Sequence, residues 1–546
     1  MAGIGDYDQA LLQSKSNMVV VMKRRTMLRT GVAGAVVASL PRVAISQSAA
    51  TRVLKFVPQS NLTLLDPIIT TAAVTANHAW MVYDTLFGVT AQLVPKPQMA
   101  EGYTVSDDGR VYLIKLREGL KFHDGEPVRA QDCAPSLARW AVRDPFGQTL
   151  LPFVDSFGVQ DDRTVKITLK RPFPLLIQAI GQQNSFIMPE RMAKTDPFKA
   201  ISEHIGSGPF RFLTNEFVAG SSAAYAKFDA YVPRQEAPDW STGAKIVHFP
   251  RVEWKIIPDS ATASAALQSG EVDWYEQVQA DLIPLLKRNP NILFGPSNPQ
   301  GYVGGLRFNH LHPPFNDVRI RRAVQMAVNQ EDYMTAIMGN NRDIWQTCRS
   351  QYPCGTTYGT ETTLPVQKGD IETAKRMVRD ALYGGQKAVI INPTDFSTIG
   401  PLGEITFDLL KKIGINAELV ATDWGSVVQR RNSKEPADKG GWSIFHTWFT
   451  GGFILNPIIT PPFRGIGAAG WFGWYENTRV EDLTREFLDA KDDDGRKAIA
   501  AAIQVENYAQ APTVTLGQFQ IPTAWRNSLV GKLEATGPLF WNVRRA

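Results

Sequence analysis

Two histidines separated by one leucine, His310 and His312, are the first side chains in this sequence that could hold a metal ion. Residues two apart lie on the same face of a β-strand, and imidazole nitrogens are common ligands of transition metals. However, Pro313 and Pro314 follow at once and predict a turn. No third ligand is evident in the sequence. We therefore predict no metal site and interpret both histidines as solvated or capping side chains.

A glycine-rich motif at residues 465–470 matches the G-x-G-x-x-G pattern of dinucleotide-binding loops. That pattern binds a pyrophosphate where a buried strand precedes it and a helix follows. Residues 459–464 do not form a clean strand pattern, and residues 471–474 (WFGW) do not begin a helix. The motif therefore predicts a loop, and no nucleotide cofactor is expected.

Residues that would indicate hydrolysis are not grouped in this chain. Neither G-x-S-x-G nor H-E-x-x-H occurs, and the acidic residues are too scattered to nominate an acid/base pair. His123, within residues 122–125 (FHDG), is interpreted as structural. We predict no catalytic residues and no enzyme activity.

The cysteines are sparse. Cys348 and Cys354, in the loop sequence CRSQYPC, could close a short disulfide in an oxidising compartment. Zinc is a poorer interpretation because the spacing is not C-x-x-C and no second Cys or His pair is nearby. Cys133, at the start of a predicted helix, is expected to be a buried small side chain.

The basic charge is concentrated at the N-terminus. The chain has 546 residues and a net charge of +5, and residues 1–46 hold six Lys or Arg against two Asp. The remainder is close to neutral, so composition gives no argument for a nucleic-acid partner. The length predicts two or three domains.

The N-terminal segment has the order of an export signal. Residues 23–29 (KRRTMLR) precede an apolar run over residues 31–40 and small residues near 44–46. This predicts a signal peptide over residues 1–46 of the twin-arginine type, with the Tat export machinery as a partner and removal in the periplasm. Met22 or Met18 could be the true start, which would make residues 1–21 an extension. The alternative is an amphipathic helix that belongs to the fold.

Several segments predict a mixed α/β protein. A strand over residues 111–117 follows an Asp-Gly turn, and residues 74–87 predict a helix. Strand, helix and strand patterns over 388–391, 401–413 and 417–420 predict adjacent parallel strands.

Residues 107–137, together with 206–213 (GSGPFRFL), 258–276 and 307–333, resemble the signature of the extracellular solute-binding proteins, family 5. These are peptide, nickel and opine binders that supply ABC importers. The resemblance implies an α/β, two-lobed periplasmic-binding-protein fold (type II, cluster C) with an extra subdomain inserted in the first lobe. Lobe I would comprise 51–84, 206–302 and 516–546, the inserted subdomain 85–205, and lobe II 303–515. The chain would cross between the lobes near residues 301–305 and near Thr515.

The resemblance also implies a function. We expect a periplasmic, monomeric binding protein that captures a small peptide-like or other organic solute by hinge closure. It would deliver the solute to ABC transporter permease subunits in the inner membrane. Two alternatives stay open, namely a secreted hydrolase on the same frame and a sensor or chaperone-like binder without a transporter.

Site residues follow from the same resemblance. Residues 448–451 (Trp448, Phe449, Thr450 and Gly451) match a strand edge at the cleft, where peptide-binding relatives place an aspartate against the α-ammonium of the peptide. Gly451 stands at that position here. Because a buried ammonium needs a paired carboxylate, free-amine peptides are not expected to bind.

The other candidates come from separate parts of the chain. Thr75, Ala76 and Asn77 match the opposite peptide-contacting edge. Asp423 either replaces the missing carboxylate or caps the helix of Trp424. Arg307 is either a bidentate partner of a ligand carboxylate or a solvated strand residue.

Overall fold

The computed structural model describes residues 52–182 and 184–546. The predicted signal peptide over residues 1–46 and the possible extension over 1–21 lie outside the described residues. Within the described part of the chain, no helix is both long enough and apolar enough to cross a membrane.

Helices make up much of the described chain. They are, in chain order, α1 (Ala73–Val82), α2 (Ala130–Arg143), α3 (Pro145–Leu150), α4 (Leu176–Gln182), α5 (Glu190–Ala193), α6 (Ser260–Ser269), α7 (Ile283–Leu286), α8 (Val318–Ala327), α9 (Gln330–Met338), α10 (Ile371–Asp380), α11 (Gly400–Lys412), α12 (Trp424–Arg430), α13 (Thr478–Asp489) and α14 (Asp493–Gln510).

The first large sheet is built from segments distant in sequence. Its spatial order, numbered along the chain, is β10 (Phe210–Phe212), β11 (Ser222–Lys227), β12 (Arg251–Lys255), β1 (Val53–Val57), β13 (Trp274–Tyr275), β21 (Pro522–Arg526) and β14 (Ile292–Pro296). β1 is parallel to both neighbours, and the outer pairs are antiparallel. Segments from both ends of the described chain therefore meet in this sheet.

The second large sheet has the order β16 (Trp345–Gln346), β20 (Thr513–Phe519), β15 (Tyr302–Phe308), β19 (Ile444–Thr450), β17 (Ala388–Pro393) and β18 (Ala417–Thr422). β17 and β18 are parallel neighbours, with α11 between them in sequence. The predicted β-α-β unit is therefore confirmed.

A third sheet lies between the segments of the first sheet in sequence. Its order is β5 (Ala100–Val105), β6 (Val111–Leu116), β8 (Thr164–Leu169) and β7 (Val154–Asp161), all antiparallel. Short pairs complete the strands: β2 (Asp84–Thr85) with β9 (Phe186–Ile187), β3 (Phe87–Val89) with β4 (Pro95–Pro97), and β22 (Leu529–Val530) with β23 (Arg544–Arg545).

The helix predicted over residues 74–87 is shorter in the structure, because α1 ends at Val82. Asp84 is buried and extended in β2. Its Oδ1 accepts a hydrogen bond from Lys245 Nζ at 2.8 Å, and its Oδ2 accepts one from the Tyr231 hydroxyl at 2.8 Å. A buried carboxylate needs such partners, and these distant residues decide the conformation of the segment.

The corner at residues 122–125, which follows β6 of the third sheet, is bonded to the loop that precedes β10 of the first sheet. His123 N donates to Gly206 O at 2.9 Å, and His123 Nε2 donates to Gly208 O at 3.0 Å. Burial lowers the pKa of His123 to about 4, so the ring is neutral at physiological pH. These contacts confirm that His123 is structural.

The chain passes twice between the two large sheets. It leaves the first sheet after Pro296 and enters the second at Tyr302, and it leaves the second after Phe519 and re-enters the first at Pro522. The second passage lies a few residues beyond Thr515, because β20 is paired with β15 and β16 up to Phe519.

Candidate ligand-binding cavity

A cavity of about 220 Å³ lies between α1 and its neighbouring loops on one side and the end of β19 with α12 on the other. One side is formed by the loop before α1, by α1 itself and by residues 535–539, and the other by α12, the end of β19 and residues 396–399. A cavity that holds a single water molecule needs only about 10–15 Å³ of such volume. The cavity is therefore large enough for a small organic molecule.

Aromatic rings form most of the wall on the side of the second sheet. Trp448 projects from β19, and its Nε1 donates to Thr398 Oγ1 at 3.1 Å. Its ring meets Phe396 edge to face at a centroid distance of 5.9 Å, and Phe396 meets Trp424 in the same manner at 5.3 Å. These contacts fix the rings before a ligand binds, as expected for an apolar binding wall. Further aromatic residues that line the cavity are Trp80, Trp140, Trp240, Phe449, Phe453 and Trp471.

On the opposite side, α1 provides the polar side chain of Asn77, which is held from behind by Glu276, the residue after β13. Asn77 lines the cavity, and its Nδ2 donates to Glu276 Oε1 at 2.8 Å. Glu276 Oε2 accepts from Gln59 N at 2.7 Å. Burial raises the pKa of Glu276 to about 7 in spite of these two hydrogen bonds. Glu276 therefore fixes the orientation of the Asn77 amide at the cavity wall.

Arg431 is the buried cation of the cavity wall. This residue comes directly after α12 and is 2% exposed. Within the described protein its guanidinium makes a single hydrogen bond, from Nη2 to Thr70 Oγ1 at 3.3 Å. Nε has no partner there. The guanidinium carbon lies 4.5 Å from the ring centroid of Phe472. Burial lowers the pKa of Arg431 to about 9, so the group stays protonated at neutral pH.

Two further charged residues, Arg143 and Asp144, line the cavity where α2 ends. Asp144 accepts hydrogen bonds from Phe146 N at 2.8 Å and Gly147 N at 3.3 Å and so caps α3. Burial raises the pKa of Asp144 to about 7. The neighbouring Arg143 is half-buried, and its guanidinium carbon lies 4.8 Å from the ring centroid of Phe198.

Residues 94–470 match the family described as bacterial extracellular solute-binding proteins, family 5, middle region. The chain belongs to the bacterial extracellular solute-binding proteins, family 5. The predicted membership is confirmed, and so is the predicted α/β, two-lobed periplasmic-binding-protein fold.

Three relatives illustrate the likeness. A "Probable peptide ABC transporter periplasmic-binding protein" of Sinorhizobium fredii is 36% identical over 96% of this chain and 100% of its own length. The glutathione-binding protein GsiB of Escherichia coli is 26% identical, covering 86% of this chain and 90% of its own. The solved structure of the binding protein AgaA from A. tumefaciens R10 with agropinic acid superposes with a TM-score of 0.75 at 21% identity, covering 90% and 99%.

The family's strand edge at residues 448–451 is partly at the cavity. Trp448, Phe449 and Thr450 line it, whereas Gly451 does not. The backbone N of Gly451 donates to Gly301 O at 2.9 Å. A Cβ at this position would lie 2.6 Å from Gln300 O and 2.9 Å from Gln300 Cβ. A side chain at this position would therefore require the Gln300 backbone to shift.

Of the residues predicted for the opposite edge, Ala76 and Asn77 line the cavity and Thr75 does not. The hydroxyl of Thr75 donates to Leu64 O at 2.7 Å, so this side chain holds the preceding loop.

Asp423 and Trp424 are adjacent in sequence but have different roles. Trp424 lines the cavity. Asp423 lies outside the lining, and its Oδ1 accepts a hydrogen bond from Ser426 N at 3.0 Å. Of its two interpretations, the structure has Asp423 as the cap of the helix that begins at Trp424.

Arg307 is neither solvated nor directed to a ligand, and both interpretations offered for it were wrong. It is 1% exposed and does not line the cavity. Its Nε donates to Phe472 O at 2.7 Å, and its Nη1 donates to Pro462 O, Pro512 O and Thr513 Oγ1 at 2.8–3.1 Å. The side chain on this central strand turns to the backbone of distant loops, which strand periodicity does not reveal.

The remaining motifs have structural surroundings. His310 Nε2 donates to Pro512 O at 3.3 Å, and His312 Nε2 to Lys434 O at 2.8 Å. Cys348 and Cys354 are joined by a disulfide, and Cys133 is buried. Residues 465–470 form a loop, and Ala469 O accepts a hydrogen bond from Gln148 Nε2 at 2.8 Å.

Sequence reasoning missed Arg431, Arg143, Asp144 and Trp471 as lining residues. A signal for Arg431 was present, since it follows Trp424 by seven residues, the spacing that returns to the same helical face. No comparable signal existed for Arg143 or Asp144, which reach the cavity because α2 is held to the loop after β1, where Arg139 Nη2 lies 2.7 Å from Asp66 Oδ2.

Proposed function

We propose that this protein is the periplasmic substrate-binding protein of an ABC importer. It captures a small organic or peptide-like solute between two lobes and delivers it to permease subunits in the inner membrane. The observation that carries the proposal is the cavity, whose walls come on one side from α1 and residues 535–539 and on the other from β19 and Trp424 of α12. Family membership and the names of the relatives support the same function over a hydrolase or a sensor.

Two passages of the chain between the sheets support a hinge at residues 297–301 and 520–521. Contacts between the two sides support a closed form: at the cavity, Trp471 Nε1 donates to Thr71 Oγ1 at 3.2 Å, and outside it Arg464 Nη1 donates to Thr149 Oγ1 at 2.6 Å. A solute that touches both lobes only when they are closed favours the closed form by its difference in affinity. The permease would then recognise this form.

The proposal disfavours one solute class, peptides with a free α-amine. Gly451 offers no carboxylate, and Gln300 lies close around it. The carboxylate of Asp144 at the cavity lining is engaged with Phe146 N and Gly147 N, so a free α-ammonium would lack a dedicated partner. Di- and tripeptides with free α-amines should bind weakly or not at all.

Thermal-shift screening of the purified protein tests the proposal. The protein is first unfolded mildly and refolded to remove carried solute, and the panel comprises peptides, opines, sugars, glutathione, nickel chelates and organic acids. A solute at a hundredfold excess over its Kd should add about 2.7 kcal/mol to the stability. Turnover of a solute that binds, or silence throughout together with hydrolase activity, would contradict the proposal.

Export is a separate part of the proposal. Residues 24 and 25 would direct the folded protein through the Tat machinery, after which the signal peptide is removed and the mature chain works as a monomer. Replacing Arg24 and Arg25 by lysines should leave the protein in the cytoplasm. Cell fractionation measures this, and unchanged periplasmic yield would contradict Tat export.

A further inference from the structure

We propose that Arg431 binds a carboxylate of the transported solute, so that the substrates are small organic acids with an apolar body. This inference rests on the proposed function, because it names the solute class of the same cavity. It also gives a role to a side chain whose position in the sequence carries no family motif.

The first step concerns pairing. Other buried arginines of this protein have acceptors for their guanidinium groups. Arg139 Nη2 lies 2.7 Å from Asp66 Oδ2, and Arg464 Nη2 lies 2.6 Å from Glu481 Oε2. Arg307 has no carboxylate but donates to three carbonyl oxygens and one hydroxyl.

Arg431 differs from all three. No carboxylate among the residues the structure describes forms an ion pair with it, and its single guanidinium hydrogen bond goes to a threonine hydroxyl at 3.3 Å. A guanidinium has five N–H donors, so most of them have no acceptor from the described protein. A buried charge left in this state is unfavourable unless a partner arrives.

The second step concerns position. Arg431 lines the cavity, so its missing acceptors can be supplied by a molecule inside it. Rings of Phe472, Trp424 and Phe445 surround the guanidinium carbon at 4.5, 5.7 and 5.7 Å. Aromatic faces attract the cation but accept none of its in-plane N–H groups. The rings therefore hold the fork in place and leave its donors for a planar anion.

The third step concerns the chemistry of that anion. A carboxylate matches the guanidinium fork with two parallel hydrogen bonds. The neighbouring wall is aromatic, with Trp424, Trp448 and Phe396, and favours an apolar body over a strongly hydrated one. Arg143 adds a second cation at the lining, whereas the carboxylate of Asp144, also at the lining, already accepts hydrogen bonds from Phe146 N and Gly147 N. The site thus favours a monoanion over a zwitterion with a free amine.

The test compares matched solutes that differ only in charge. Isothermal titration of the full protein would use phenylacetate and phenylacetamide, hexanoate and hexanamide, and an N-acetylated dipeptide and its C-terminal amide. We expect at least one acid to bind about tenfold or more tightly than its amide, as hydrogen bonds to a charged group allow. The affinity of benzylphosphonate, compared with that of phenylacetate, tells whether the site prefers a carboxylate or a phosphate-like anion.

Variants locate the preference. Arg431→Met should remove the preference for the acid, whereas Arg430→Met should keep it. Arg430 is the matched control because it is the adjacent arginine, does not line the cavity, and donates to Gly440 O and Gly441 O. If Arg431→Met does not fold, Arg431→Lys keeps the charge without the fork and should retain the order of preference at lower affinity.

The outcomes are distinct. The inference would be overturned if the unmodified protein bound acid and amide equally, or if the preference for the acid survived in Arg431→Met. It would also be overturned if Arg431→Lys bound acid and amide equally, or if the phosphonate bound more tightly than the carboxylate. Binding of neutral solutes only would overturn it and leave the proposed function intact. Failure of every solute class to bind would count against the proposed function itself.

Discussion

At the scale of single residues, the pairing of buried polar groups separates structural side chains from those of the cavity. Arg307 and Asp423 carry charges suited to ligand binding, yet their hydrogen bonds go to loop carbonyls and to a helix N-terminus. Asn77 and Arg431 are held by one or two contacts and line the cavity. Residue type alone therefore does not indicate ligand binding, because the same groups also complete the fold.

Gly451 gives a prediction for the missing aspartate. Gly451→Ala should destabilise the protein by about 1–3 kcal/mol, because the new Cβ would lie 2.6 Å from Gln300 O. Gly102→Ala is the matched control, since its Cβ would meet no atom within 4 Å. Urea unfolding measures both. Equal stability of the two variants would show that the Gln300 segment yields and that an aspartate is tolerated.

Glu276 gives a prediction for pH dependence. Its pKa in the folded protein is raised to about 7 from an ordinary 4.5. Between these values the folded state holds a proton that the unfolded state has released, so this group makes stability fall as pH rises through the window. The fall amounts to about 3 kcal/mol at most.

The variant Glu276→Gln should lack this part of the fall, while Asp144, whose pKa is also raised to about 7, contributes its own in both proteins. Urea unfolding at several pH values from 4.5 to 8 measures the difference. Parallel stability curves for the two proteins would show that Glu276 is ionised throughout.

At the scale of elements, short segments are held in place by contacts from distant strands. The loop closed by Cys348 and Cys354 is an example: Gln330 Oε1 accepts from Cys348 N at 2.6 Å, and Gln518 Oε1 accepts from Cys354 N at 2.8 Å. The loop is thereby attached to α9 and to β20. Such attachment makes the disulfide a support for the edge of the second sheet.

We predict that the exported protein contains this disulfide. Its intact mass should be lower than that of the reduced protein by two hydrogen atoms, and peptide mapping should link Cys348 to Cys354. Replacing both cysteines by serine should cost about 2 kcal/mol of stability, given the short loop. Free thiols at both positions in the exported protein would contradict the prediction.

At the scale of the whole molecule, the proposed closure depends on contacts outside the cavity. Thr149, in α3, accepts a hydrogen bond from Arg464 Nη1 and itself donates to Pro145 O. Thr149→Ala removes the contact between the two sides and should weaken binding of an identified solute by about fivefold, the value of one hydrogen bond.

The matched control is Thr484→Ala. Thr484 is also a buried helical threonine that donates to a carbonyl four residues earlier, Val480 O. Its hydrogen bond stays within α13 and joins no residue of the opposite lobe. Its loss should leave the Kd unchanged. Isothermal titration measures both variants, and small-angle scattering should show a smaller radius of gyration when solute is added. Equal Kd values for the two variants would contradict closure through Thr149.

The sequence predicted the larger units of the fold well and the cavity only in part. The strand and helix patterns over residues 388–420 sufficed for β17, α11 and β18, because a β-α-β unit is local. The helix over 74–87 was predicted too long, since the buried ion pair of Asp84 with Lys245 joins residues far apart in sequence. Of the predicted ligand-binding residues, those on the cavity wall are mostly aromatic or small.

The sequence by itself determined the family, the fold class and the absence of an aspartate at Gly451, because motif order and residue identity are properties of the chain. Only the tertiary structure decided which charged side chains face the cavity. Arg307 and Arg431 are both buried arginines, and their difference depends on where distant backbone carbonyls lie. Such acceptors come from loops brought together by folding, and no local pattern in the chain records them.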